Sequence, residues 1–184
     1  MNGNDPMTKI TISGHPGSGT TTLVSIIEKK FNWDSINGGT IFRNAAKKNN
    51  MNLVDFAELC LIDDKMDKEL DKELISIMQD QDGPKIIESR LAGHWAKIEN
   101  IECKSIWLKV DEEIRAKRVQ KREGGELAHV LFSIKQRVEK DEIRFKKFYN
   151  ISLNDMSPYS LIIDCNQKSP EEIAEEVIKH LKED

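Results

Sequence analysis

The sequence predicts an α/β fold, an open sheet with helices packed on it and a phosphate-binding loop after the first strand. Three observations carry that prediction. Ile10-Thr11-Ile12-Ser13 alternates as a strand does, and Thr20-Thr21-Thr22 opens a helix with Leu23, Ile26 and Ile27 on one face. Between them lies the glycine-rich turn Gly14-His15-Pro16-Gly17-Ser18-Gly19. Further short apolar runs, Lys85–Glu88, Ser105–Val110 and Ser160–Asp164, each follow or precede a helical pattern.

The loop is the centre of the chain. Gly14 and Gly19 bracket four residues and are followed at once by hydroxyls, so main-chain N–H groups can form a nest and the helix can aim its positive end at an anion. A triphosphate fits that place, held by Gly14, His15, Pro16, Gly17, Ser18, Gly19, Thr20, Thr21 and Thr22. The pattern GxxxxGK[ST] is met except at the lysine, where Thr20 stands. Thr21 keeps the hydroxyl that ligates Mg²⁺. The same residues would also make a plain strand-to-helix turn. The lysine contributes a point charge on the outer phosphates, which arginines elsewhere can supply.

Composition bounds the rest. A chain of 184 residues has room for one domain with insertions. Its 28 basic against 32 acidic residues lack the excess of a duplex-binding protein, so no nucleic-acid partner is expected. Cys60, Cys103 and Cys165 are far apart and odd in number, which reads as reduced, buried thiols of a cytoplasmic protein. His15, His94, His129 and His180 show no metal-ligand spacing. The polar opening Met1–Pro6 and the lack of any membrane-length apolar run predict a soluble chain with no membrane partner.

After the first helix, Trp33–Ile36 reads as a strand ended by Asn37-Gly38-Gly39, two glycines that let the backbone bend sharply and approach a ligand. Thr40–Arg43 opens a helix, and Arg43 is a candidate for a second phosphate site or a solvated arginine. Leu53, Phe56, Ala57 and Cys60 recur with a helical period behind the cap pair Asn52 and Asp55. Met66, Leu70, Leu74 and Ile77 mark another helix, with Asp67, Lys68, Asp71 and Lys72 outward. These helices read as an inserted flap over the sheet edge, and Asp63-Asp64 between them as a helix cap.

The strand at Lys85–Glu88 delivers Glu88-Ser89-Arg90 to the edge where ligands gather in open α/β sheets. Glu88 can hold magnesium through water and Arg90 can clamp a phosphate, or the two can form a surface pair. In the helix from Asp111, Arg115, Arg118 and Arg122 share one face before Gly124-Gly125. That face suits an arginine lid over phosphates, although Glu112, Glu113 and Glu123 also allow surface pairs. The next helix, Glu126 to about Tyr149, should bury Leu127, Leu131, Ile134 and Val138. Its Arg137, Asp141 and Arg144 could hold a sugar hydroxyl and a phosphate, or make a salt-bridged surface. Ser169, Pro170 and Glu172 signal the capped last helix, with Ile173, Val177 and Leu181 inward.

Taken together, Gly14–Thr22, Gly39-Thr40-Ile41-Phe42-Arg43, Glu88-Ser89-Arg90-Leu91-Ala92-Gly93, Arg115–Glu123 and Asp155–Ile163 resemble the nucleoside monophosphate kinases, and within them the archaeal type of cytidylate kinase. The resemblance runs from the first strand to the last. That branch commonly carries Gly-Thr-Thr-Thr at the loop, so Thr20 is a family trait; Ser89 departs from a usual glycine. The resemblance implies a P-loop NTPase with a five-stranded parallel sheet of order 2-3-1-4-5, in a single domain over 1–184. It also implies a monophosphate-binding insertion at about 38–80 and an arginine lid at about 115–126. Phosphoryl transfer from ATP with Mg²⁺ to CMP or dCMP is the activity it implies, in a monomer. Gly39, Arg43, Arg90, Asp141 and Arg144 would bind the monophosphate; Arg118, Arg122 and Arg137 would be catalytic; Thr21 and, through water, Glu88 would hold the metal. An adenylate kinase or another small-acceptor kinase shares this logic, and a non-catalytic nucleotide-binding accessory protein is a reading of a different class.

Overall fold

The computed structural model describes residues 8–62 and 64–183. Met1–Pro6 and Asp63 lie outside the described residues, as do the side chains of Leu53, Ala57, Asp64 and Asp67. The first half runs β1 (Ile10–Gly14), α1 (Thr20–Phe31), β2 (Ser35–Asn37), α2 (Gly38–Lys48), α3 (Leu53–Ile62), α4 (Asp64–Gln79) and β3 (Ile86–Glu88). The second runs α5 (Ala92–Ile98), β4 (Lys104–Lys109), α6 (Glu112–Glu123), α7 (Leu127–Tyr149), β5 (Leu161–Asp164) and α8 (Pro170–Leu181).

The five strands form one parallel sheet in the order β2-β3-β1-β4-β5, the order that the resemblance implied. Parallel strands with helical crossovers are covered on both faces, which explains their nearly continuous apolar runs. On one face Ile10, Ile12, Ile86, Ile106, Leu108 and Ile163 pack with Leu23, Val24 and Ile27 of α1 and Ile173, Ala174 and Val177 of α8. On the other, Ile87 meets Leu91 and Trp95 of the α5 region, Leu74 and Met78 of α4, and Phe145 of α7. Each such side chain stabilises the fold by about 1.5–3 kcal/mol.

Register places the functional edge. Ile12 of β1 and Asn37 of β2 both pair with Glu88, while Gly14 pairs with Leu108 of β4. The turns that leave β1, β2 and β3 therefore emerge side by side. The caps that the sequence signals are in place. Asp55 N–H donates to Asn52 Oδ1 at 2.9 Å, and Ser169 and Glu172 form a capping box.

Four expectations change. β2 begins at Ser35 and not at Trp33, because the chain leaves α1 through Asn32 at φ 53° and stacks Trp33 on Phe31. Gly38 and Gly39 are the first turn of α2 and adopt no left-handed bend; Asn37 caps them, its Oδ1 accepting from Thr40 N–H at 2.8 Å. α5 was not foreseen, since a seven-residue segment with a glycine has little propensity of its own. Burial of Ala92, Trp95 and Ala96 forms it. On α7 only Ile134 of the expected stripe is buried, Leu127, Leu131 and Val138 being half-buried; Phe145 is the other anchor. Ile134 packs on Ala116 and Val119 of α6, while Phe145 reaches the main body. Cys60 and Cys165 are buried thiols and Cys103 is half-buried.

Gly93 is pressed against a ring: a Cβ there would lie 2.4 Å from Cε1 of Tyr159, itself 8% exposed. Gly93→Ala should therefore destabilise the protein by about 1–3 kcal/mol, read as a lower urea midpoint at unchanged m-value.

Candidate active site

β1 ends at Gly14, and the chain turns through His15–Ser18 into α1. Gly17 and Gly19 sit at φ 83° and 96°, a region that side chains with a Cβ avoid. Gly17 also lies against α6, since a Cβ there would stand 2.8 Å from the Arg115 carbonyl oxygen. α1 has no side-chain cap, unlike α2 and α8. Its leading N–H groups and the positive end of its dipole are thus offered to an anion.

Thr20 turns back to the end of β3. Its hydroxyl donates to Glu88 Oε1 at 2.5 Å, and that of Thr21 donates to the same oxygen at 2.9 Å. The carboxylate at the end of β3 is thereby tied to the start of α1. Ser13 adds a second tie, donating to the Ser89 carbonyl oxygen at 2.7 Å. The signal for Ser13 was available in the sequence as a polar residue in a buried strand directly before the loop. A hydroxyl and a carboxylate 2.9 Å apart form an all-oxygen donor set that suits Mg²⁺, which takes few protein ligands and keeps the rest for water and phosphate.

Arg90, two residues beyond Glu88, is ion-paired with Asp141 of α7, whose other carboxylate oxygen lies 3.7 Å from Arg144. Arg137, exposed on the same helix, adds like charge to Arg90. Burial lowers the Arg90 pKa, and Asp141 opposes that effect. Two guanidiniums, of Arg90 and Arg144, thus meet one carboxylate, with the charge of Arg137 close enough to act on Arg90. Arg43 is not brought into it. That side chain is exposed on α2 and donates to Thr40 Oγ1 at 2.9 Å, with Gly39 beneath it.

The three arginines of α6 do not form one open face. Arg115 is 4% exposed and points inward: Nε donates to the Val110 carbonyl and Nη1 to the Pro16 carbonyl, each at 3.2 Å. Arg118 is half-buried, donating from Nη1 to the Ser18 carbonyl at 3.1 Å and from Nη2 to the Cys165 carbonyl at 2.8 Å. Arg122 is exposed and pairs with Glu123. The reason is the seating of α6: its first turn lies on the loop, so the residue nearest the sheet is buried. Gly124 and Gly125, at φ 80° and 92°, end the helix. The β5–α8 turn also meets this site through the Cys165 carbonyl, a main-chain group that no sequence motif marks.

The AAA domain family profile matches residues 10–143. A cytidylate kinase of Methanosarcina acetivorans is 39% identical over 165 residues, spanning 86% of this chain and 88% of that protein. One from Pyrococcus abyssi is 37% identical over 177 residues, 95% of each. Among solved structures, shikimate kinase from Bacteroides thetaiotaomicron shares the fold with a TM-score of 0.63 at 17% identity, over 96% of this chain and 99% of that one.

His15 sits edge-on to Trp107 with ring centroids 5.2 Å apart. Burial, then the charges of Arg115 and Arg90, push its pKa from 6.5 down to about 4. Between those values the unfolded chain binds a proton that the native ring does not, so stability rises with pH. The melting temperature should fall as pH drops from 6.5 to 4, and His15→Gln should remove part of that fall. His94, also lowered by burial, supplies a further part.

Proposed function

The chain belongs to the cytidylate kinase family, and we propose that it transfers the terminal phosphoryl group of ATP to CMP, and to dCMP, releasing the diphosphate and ADP. One observation carries the reading: the uncapped loop-to-helix junction and the Arg90–Asp141–Arg144 cluster flank the same short segment, Glu88-Ser89-Arg90. Donor and acceptor phosphates bound at the two would meet beside Glu88.

The loop N–H groups hold the donor phosphates, with Thr21 and Glu88 as the residues that would hold Mg²⁺. Mg²⁺ supplies charge neutralisation on the phosphate oxygens when bound. Arg90 and Arg144 hold the acceptor phosphate, for which the carboxylate of Asp141 keeps both guanidiniums gathered in the meantime. Arg43 and Gly39, at the start of the inserted helices α2–α4, close on the same phosphate from the other side when the insertion moves inward. Arg118 and Arg122, with Arg137 opposite, neutralise charge on the moving group. The acceptor oxygen is already ionised, so positioning and electrostatics suffice and no strong base is needed. Inward movement of the outer end of α6, at Arg122 and the terminal glycine pair, excludes water that would otherwise hydrolyse ATP.

A coupled ADP-release assay with CMP, dCMP, UMP, AMP and GMP side by side tests the reading: CMP and dCMP should dominate, and a preference for AMP would make the chain an adenylate kinase. Arg90→Ala should raise KM for the acceptor by about 10- to 100-fold, the loss of one charge-assisted bond, with KM for ATP little changed. Thr21→Ala should instead shift the Mg²⁺ concentration needed for half-maximal rate upward.

A further inference from the structure

A loop without its lysine needs a positive charge from elsewhere, and the buried guanidinium of Arg115 stands directly behind it. Arg115 is 4% exposed, and among the described residues its one carboxylate neighbour is Glu112 at 4.0 Å, with a side chain 39% exposed. A solvated carboxylate at that distance neutralises a buried cation only in part, because water screens it. The remaining charge bears on the loop at one defined point, where Nη1 donates to the Pro16 carbonyl oxygen at 3.2 Å.

That oxygen belongs to the peptide unit whose N–H is Gly17's. A charged donor on the oxygen end of a peptide polarises it and strengthens the N–H at the other end as a donor. Arg118 does the same two peptides further on, at the Ser18 carbonyl, whose N–H partner is Gly19's. Packing holds the arrangement, since a Cβ on Gly17 would lie 2.8 Å from the Arg115 carbonyl oxygen and 3.1 Å from its Cβ, leaving no room between loop and helix. The field also reaches His15 beside it, where Arg115 is the largest charge contribution to its lowered pKa, second to burial.

We propose that Arg115 is a positioning residue that replaces the missing loop lysine from beneath, charging the Pro16–Gly17 peptide so that the loop N–H groups grip the donor phosphates without a charged side chain at position 20. This rests on the phosphate-binding reading of the loop but not on the identity of the acceptor. Arg118 touches the loop and faces the donor site; Arg115 acts only through the backbone.

The test is calorimetric binding of Mg·ADP to the full chain as Arg115→Gln, which keeps a hydrogen bond to Pro16 and loses the charge, and as Arg115→Lys, which keeps the charge. Binding should weaken by about tenfold or more in the first and by less than about threefold in the second. In the glutamine variant the His15 imidazole, followed by NMR, should also titrate at a higher pH than in the wild type. Wild-type ADP affinity in Arg115→Gln overturns the proposal, as does a lysine variant no better than the glutamine one, which would make the role one of shape. Should Arg115→Gln not fold, Arg115→Lys decides alone, a loss of more than about tenfold being the overturning result. If the wild type binds ADP yet does not phosphorylate CMP, the functional reading falls while the ADP comparison still judges Arg115.

Discussion

Two threonine hydroxyls share one oxygen of Glu88, and that clasp fixes the geometry of everything around it. It joins the first turn of α1 to the end of β3, so the loop that would hold one phosphate chain is tied to the segment that carries Arg90. The clasp is possible because β1 and β3 are neighbours in a parallel sheet with Ile12 registered on Glu88. A one-residue slip would put Glu88 on the wrong side of the sheet and leave Thr20 and Thr21 without their acceptor. Threonine at position 20 is thus an organising residue, short enough to turn back to the sheet where a lysine would extend outward.

Positive charge around the loop is arranged in two ways. Arg115 and Arg118 are held by main-chain carbonyls, Arg115 with only partial neutralisation by Glu112, so they are fixed before any ligand arrives. Arg90 and Arg144 both meet Asp141, which would compete with an incoming phosphate. On the proposed assignment, the donor side is preorganised and the acceptor side would exchange partners. Preorganised dipoles and charges spare the reorganisation that a solvent would undergo during phosphoryl transfer. Exposed Arg122 and Arg43 stand at the outer limits of α6 and α2, on elements whose motion would bring them inward.

The resemblance carried by scattered motifs was enough for the strand order, and family relatives at 37–39% identity agree with it. The strand runs apart from the start of β2, helices between β2 and β3, and the caps at Asn52 and Ser169 followed from local chemistry. Local chemistry failed in α5, which has almost no propensity of its own and exists because Trp95 and its neighbours are covered. It failed also at Gly38-Gly39, where a cap by Asn37 decides for helix over bend.

What the sequence by itself determined was the loop, its lysine-for-threonine exchange, and the set of arginines from which a phosphate site could be made. Those are covalent facts and short-range preferences, written in glycine spacing and helical period. Only the tertiary structure decided how deeply each arginine is buried and what holds it. Arg115, Arg118 and Arg122 look alike along a helix, and their difference arises from the burial gradient that appears when α6 is seated on the loop. Helical periodicity places side chains on a face but does not say how deep that face is buried; depth depends on contacts between residues a hundred positions apart.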